Sequence, residues 1–592
     1  MNEYSCDVLV VGGGGGALRA AIALAEEHPE LKVLLATKGQ LGKSGVTAVA
    51  CSDRMAFHAT LPHTPPGGED AWRYHAEDIY RIGGCVSDPE LAAILAKNSG
   101  DAFQYLDALG VPFVKEGTVP RQFVTDGSEY PRACYTGPRT AVHIEEALVR
   151  RFHALNIPVL EQCMVTRLLT DTAGINGALA LLGGRVVPIS AGAVILATGG
   201  AGLIYQQHVF PPGMTGDGYA MALRAGAELV NMEFIQMGVA SVKTRLNCSG
   251  SLFRALPRLV DDSGREFLSE YTGEMTVGDR LSLLFRKGAS WPVSNEHDTK
   301  LIDIAVYREQ MAGRRVFLDF GANPAGYDFE ALPASDRKRY QDEMVVDLGS
   351  ARDQTPLARL QEINPDSIAW LREHGVDLEA GDAMEIALCG QHFQGGIKID
   401  NQGQTIVPGL YAVGETAGGQ HGANRPGGNA LLDSQVFGFL AARSAAERAR
   451  EHKQTSVSAA AIKDAQHQLA AAGGYKPQEF RERLQQVVYR AGAVVRTEAG
   501  LKQGLADLEE LTAKGMVAGD PVLIAENHNL LLVARAVLTA ALCRDESRGP
   551  HLRFEDAAGT RPLKRRDPEW QKYIIISGDE AALKLAVRMP GS

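Results

Sequence analysis

Residues Cys6 to Gly39 read CDVLVVGGGGGALRAAIALAEEHPELKVLLATKG, and this stretch restricts the fold more tightly than any other. Cys6 to Val11 is a short, mostly apolar run ending in glycines, the pattern of a buried parallel strand. Ala17 to Glu27 reads as a helix and Lys32 to Ala36 as a second strand. The chain therefore opens on a βαβ unit with Gly12-x-Gly14-x-x-Ala17 at its first turn. The first small residue permits the tight turn, the second lets backbone approach a pyrophosphate, and the third lets helix and strand pack closely. A strand before the turn and a helix after it make this a dinucleotide-binding signature. The acidic residue that usually ends the second strand and binds a ribose is missing, because Thr37 and Lys38 stand there. That weakens an NAD reading and leaves FAD, whose adenosine end can be held in other ways.

Two later segments repeat the strand-to-glycine pattern, AVILATGG (Ala193 to Gly200) and PGLYAVGE (Pro408 to Glu415), and both are expected to return to the same sheet. The second runs into HGANRPGGNALLDSQVFG, His421 to Gly438, where a His and an Arg stand beside two glycines at the mouth of a helix. Free N–H groups and a partial positive charge at a helix start suit an anion or a flat polar cofactor. The intervening residues, roughly 232–401, are rich in charge and turns and are expected to cap the flavin. A polar linker near Gln454 to Ser458 precedes a helical region, roughly Ala459 to Cys543, and the tail after Arg544 looks irregular. The expected fold class is α/β: a Rossmann-like FAD-binding domain (1–231 and 402–453), an inserted α+β capping domain (232–401) and a helical C-terminal domain with tail (459–592).

At 592 residues the chain is too long for one core. A net charge of −11 leaves no basic stripe for nucleic acid. The eight cysteines form no CxxC pair, so the chain has no recognisable iron–sulfur or structural zinc site, and scattered thiols suit a reducing compartment. No signal pattern opens the sequence and no apolar run is expected to span a membrane. The expectation is a cytoplasmic protein without direct membrane insertion, associated with a membrane only through partner subunits.

Four ordered motifs resemble the flavoprotein subunit family of succinate dehydrogenase and fumarate reductase, whose relatives include L-aspartate oxidase and the α subunit of adenylylsulfate reductase. VVGGGGGALRAAI is similar to its N-terminal FAD fingerprint, and ATGGAGLIYQQHVFPPGMTGDGYAMALRAGAELVNMEFIQ to its central FAD segment. GLYAVGETAGGQHGANRPGGNALLDSQVFG is similar to its C-terminal FAD and substrate motif, and RTEAGLKQGL with ESRGPH to its helical C-terminal domain. The resemblance implies that Gly12, Gly14 and Ala17 hold the pyrophosphate, with Gly13, Gly15 and Gly16 also at the cofactor. It implies that Thr37, Lys38, Ser44, Gly45, Thr47, Ala197, Thr198 and Gly199 line the cofactor, with Asp217 and Glu415 as further ligands. Ala430 and Leu431 would meet the flavin with backbone, and Asn429 would also bind the cofactor. Arg425 matches the arginine that clamps a substrate carboxylate, a task suited to a planar fork of donors. His392, in GQHFQGGIKID, matches a substrate-binding histidine.

Three departures temper what the resemblance implies. The histidine that tethers FAD covalently is replaced by Gly45 in KSGV, so non-covalent FAD is expected, with a lower flavin potential. The His-Pro-Thr-Gly stretch after MEFIQ is replaced by MGVAS, placing Gly238 where a histidine usually stands. The proton-shuttling arginine before Asp is replaced by Gly278 in TVGDRLSLLF. Either Arg280 takes that role in a shifted register or the chemistry differs. The implied function is an FAD-dependent oxidoreductase, a catalytic flavoprotein exchanging a hydride with a small anionic, carboxylate-bearing substrate and electrons with an iron–sulfur subunit. The alternatives are a stand-alone L-aspartate-oxidase-like enzyme and an adenylylsulfate-reductase-like flavoprotein.

Overall fold

In the computed structural model, which describes residues 4–52, 55–125, 127–290, 292–344, 354–452 and 473–591, the three glycine-ended segments meet in one sheet. Strand Tyr4–Val11 lies parallel to both Val33–Ala36 and Arg185–Leu196, in the registers Val11↔Ala36 and Val11↔Leu196. Strand Leu410–Ala412 joins the far side of Arg185–Leu196, with Leu196 opposite Ala412. The strand ends are stitched where they leave the sheet: Gly12 N–H donates to Ala36 O at 2.9 Å, Ala197 N–H to Val11 O at 2.8 Å, and Val413 N–H to Leu196 O at 3.0 Å. An antiparallel meander, Cys163–Asp171 and Gly174–Leu182, extends the sheet on one side. The core strand Val8–Val11 is nearly all apolar and fully buried, as a strand covered on both faces must be.

Helices Gly15–Glu27 and Asn429–Glu451 pack against each other behind this sheet. The segment expected to cap the flavin contains an antiparallel sheet ordered Ile235–Ser241, Met384–Phe393, Val316–Asp319 and Arg258–Asp261. Its entering and leaving strands are paired, with Gln236 opposite His392, so His392 stands where that segment rejoins the rest of the chain.

Beyond it, helices Pro477–Gly492, Glu498–Lys514 and Pro521–Cys543 pack together. Two sequence expectations are corrected here. Helix Pro521–Cys543, 23 residues long, is apolar and long enough to cross a membrane, although most of it is buried by the protein itself. Its apolarity reflects contact on nearly all sides, which removes the polar stripe of a surface helix. The tail is also less irregular than its sequence suggests. Tyr573–Gly578 and Leu583–Arg588 form a hairpin that adds to strands Leu229–Val230 and Gly396–Lys398. The run YIII is a short continuous apolar stretch whose Ile574 and Ile576 are fully buried. The expected linker at Gln454 to Ser458, and the helical region up to residue 472, lie outside the described residues.

Candidate active site

A cavity of about 660 Å³ opens where the three strands end. Gly12 shows why the turn is glycine: its φ is +129°, and a Cβ there would stand 2.1 Å from Ala197 O. The helix that follows has no side-chain N-cap and no acidic residue in its first turn. Such a helix start suits an anionic ligand; Gly15 N–H donates to Thr47 Oγ1 at 3.2 Å. Helix Asn429–Glu451 is built the same way behind Gly428, whose φ is +101° and whose Cβ would stand 2.8 Å from His58 Cδ2. Two uncapped helix starts thus face one cavity.

Most residues expected at the cofactor line this cavity: Gly12 to Gly16, Thr37, Lys38, Ser44, Gly45, Thr47, Ala197, Thr198, Gly199, Asp217, Glu415, Ala430 and Leu431. Ala17 does not line it; it is buried where helix and sheet pack, the task its small size suits. Asn429 also stands back, with its Oδ1 3.2 Å from His75 Nε2. Lys38 is the hub at one end. Its Nζ lies 2.6 Å from Asp217 Oδ2, 2.7 Å from Thr215 Oγ1 and 2.7 Å from Glu526 Oε1. Burial opposes the charged lysine, but the two carboxylates outweigh it and hold its pKa above the usual value.

At the other end Arg425 and His392 line the same cavity. Arg425 is half-buried, its Nε is buried without a partner, and its Nη1 makes only a long contact with Pro426 O, at 3.5 Å. Burial pulls its pKa down to about 10, against the opposing pull of Glu415 and Asp433. His392 is 5% exposed, and burial, then the charge of Arg425 and then His421, push its pKa well below the ordinary histidine value. It is neutral at pH 7. With Gln394 Nε2 donating to Nδ1 at 3.1 Å, the ring proton sits on Nε2. Glu415 accepts from Phe393 N–H at 2.8 Å, and burial raises its pKa to about 8. Both ring nitrogens of His421, Asp433 Oδ1 and Gln391 Oε1 are buried without a hydrogen-bond partner. Glycine backbone, uncapped helix starts and orphaned polar atoms together fit a long dinucleotide with an anionic group at one end and a polar substrate beside its ring.

Arg280 is not part of this site. It lies in helix Val277–Lys287, outside the cavity lining, and its Nη1 donates to Met275 O at 2.5 Å. Gly278 explains why no arginine takes its place: a Cβ there would stand 2.1 Å from Ala331 O, so that helix face is packed against backbone. The cavity instead holds Arg245 and Asn247, which sequence reasoning missed. Arg245 has a φ of +59° and donates from Nη1 to Phe210 O at 2.9 Å. A left-handed arginine at a cavity wall is the kind of strain that collects at functional sites, but VKTRLNCSG carries no motif that announces it. Glu526 was missed too; the polar run Glu526 to Asn529 inside an apolar helix was its available signal.

Comparison with known proteins agrees with this geometry. The family described as FAD binding domain matches residues 7–431, and that described as fumarate reductase flavoprotein C-term matches residues 481–589. One subunit of the CoM/CoB fumarate reductase of Methanothermobacter marburgensis is 31% identical, with 97% of each chain covered. L-aspartate oxidase of Streptomyces coelicolor is 28% identical over 97% of this chain and 91% of its own. The solved structure of Mycobacterium smegmatis Sdh1 in complex with UQ1 superposes with a TM-score of 0.78 at 28% identity, covering 100% of this chain and 95% of that one.

Proposed function

Because this chain belongs to the fumarate reductase flavoprotein family and is an FAD-dependent oxidoreductase, we propose that it is the catalytic flavoprotein of a complex. In this reading it exchanges a hydride with a carbon next to a carboxylate or comparable anionic group, and passes electrons to or from a separate iron–sulfur subunit. When bound, FAD supplies the hydride chemistry and accepts or releases electrons.

The chain's own residues set the substrate and its protons. Arg425 is the observation that carries the reading: a half-buried guanidinium whose buried Nε is unpartnered, in the wall of the cofactor cavity. A guanidinium with a buried, unpartnered N–H is stabilised by an anion that reaches it. Neutral His392 offers Nε2–H as a donor that polarises an activating group on the substrate. Arg245, which lines the cavity as Arg280 does not, takes the second cationic role, either gripping a second anionic group or relaying a proton. Gly238 pairs with Cys389 on the neighbouring strand and offers no side chain, which supports a substrate shaped differently from fumarate.

FAD is held without a covalent bond in this reading. Gly45 has no side chain to form one, and His392 is the only histidine among the described residues lining the cavity. Acid precipitation should release the flavin into the supernatant; colour that stays in the pellet refutes this. For the iron–sulfur partner, no group of three metal-ligating side chains occurs among the described residues, and the Methanothermobacter relative is itself named as one subunit of its enzyme. The discriminating experiment is anaerobic reoxidation of reduced flavin by unsaturated carboxylic acids and their thioesters, with wild type and Arg425→Ala. Wild type should react and the variant should not, while both retain FAD. Equal rates overturn the assignment, and efficient turnover with dioxygen alone favours an L-aspartate-oxidase-like enzyme.

A further inference from the structure

The second strand of the βαβ unit ends at Thr37 and Lys38, where the ribose-binding carboxylate of such units is absent. A carboxylate nevertheless stands beside that strand end. Glu526 comes from helix Pro521–Cys543, far along the chain, lines the cofactor cavity and is only 8% exposed. Its Oε1 lies 2.7 Å from Lys38 Nζ and its Oε2 lies 2.7 Å from Arg481 Nη2.

Hydrogen bonding separates Glu526 from its neighbours. Lys38 spends its three donors on Thr215, Asp217 and Glu526, so it is a bracket with none left for a ligand. Asp217 accepts from Thr215 at 2.9 Å and Asn529 at 2.8 Å on Oδ1, and from Lys38 at 2.6 Å on Oδ2. That leaves it a single acceptor position. Each oxygen of Glu526 meets one cation and so retains a free lone pair, and the two contacts hold the side chain in one position. Two adjacent acceptors match the two vicinal hydroxyls of a ribose.

We infer that Glu526 is a cofactor-specificity residue: the C-terminal helical segment supplies the carboxylate that accepts the adenosine ribose hydroxyls of FAD, in place of the acid missing after the second strand. The last third of the chain then reads the cofactor directly.

The test uses full-length apoprotein and two probes, FAD and its 2′,3′-dideoxyadenosine analogue, with Kd read by flavin fluorescence. Wild type should bind FAD about tenfold more tightly than the analogue, the size of a hydrogen bond to a charged group. Glu526→Gln and Glu526→Asp should lose FAD affinity and bind the two probes within about threefold of each other, while Asp217→Asn keeps the discrimination. The inference is overturned if wild type does not distinguish the probes, if the Glu526 variants weaken both by the same factor, or if discrimination is lost only in Asp217→Asn. Because two Glu526 variants are used, one that fails to fold leaves the other to decide, and a wild type that does not distinguish the probes refutes the inference by itself.

Discussion

The two arginines singled out in the sequence have opposite fates, and the difference is one of surroundings. Arg425 sits in a glycine-rich loop at a helix start, a pattern that suits a ligand and lies inside a long family motif; Arg280 had only a spacing argument, which the packing of Gly278 against Ala331 defeats. Arg425→Lys should lower kcat/KM on the order of a hundredfold, because the charge survives and the fork of donors does not. Arg280→Ala should leave steady-state turnover within about twofold; a loss as large as that of the lysine variant would return Arg280 to the site. Glu145 makes a separate case. It is buried in helix Thr140–Ala154 with neither carboxylate oxygen hydrogen-bonded, and burial raises its pKa to about 8. A carboxyl whose folded pKa is raised holds its proton where the unfolded chain has lost it. Its stability is therefore intact below about pH 4.5 and drains away as pH rises towards 8, on the order of a few kcal/mol. Glu145→Gln should melt like wild type near pH 4.5 and at a higher temperature at pH 8, by scanning calorimetry. A difference independent of pH would refute this account.

Among elements, the strands ending in glycine were the most legible, because each carries its own signal: an apolar run, then residues that permit positive φ or close approach. Their convergence follows from parallel pairing, which the sequence implies three times over. The C-terminal helices were readable as helices, but how they meet was not, since that depends on which small residue faces which large one. Leu538 answers this. A Cβ on Gly492 would stand 2.7 Å from its Cδ2, and one on Gly504 would stand 3.1 Å from its Cδ1, so this leucine fills the space two glycines leave. Leu538→Ala should cost about 2–5 kcal/mol through the void it opens. Gly504→Ala should cost about 1–3 kcal/mol by overpacking, since its Cβ would also stand 2.6 Å from Ala491 Cβ. Combined, the two should cost less than the sum of the single changes, because the added methyl enters the space the leucine vacates. Urea denaturation of the three variants measures this, and strict additivity would show that the helices do not meet as described.

At the scale of the whole molecule, the fold is held by segments remote in sequence, and one buried network shows what joins them. Arg544, just past the last long helix, lies 2.8 Å from Glu233 Oε1 at the entry to the inserted segment and 3.3 Å from Glu546, which in turn holds Arg548 at 2.6 Å. Arg544 also donates to Trp570 O at 3.0 Å and Lys572 O at 2.8 Å, just before the closing hairpin. All four charged side chains are fully buried. The motif ESRGPH was visible in the sequence as a family mark, but its partner Glu233 stands alone in MEFIQ and only the fold brings the two together. Exposed pairs contribute little, so the many surface ion pairs of this chain decide nothing about its stability. A buried pair differs in what its disruption exposes. Arg544→Met leaves Glu233 uncompensated and should cost about 3–5 kcal/mol, whereas adding Glu233→Gln should recover a large part of that loss. If the network ties the C-terminal segment to the rest, denaturation followed at the flavin and by far-ultraviolet circular dichroism should coincide in wild type. In Arg544→Met the helical signal should separate from the flavin signal, since the C-terminal segment has lost its anchor. Coincident transitions in the variant, or no recovery in the double variant, would mean that the apolar contacts of helix Pro521–Cys543 alone hold that segment in place.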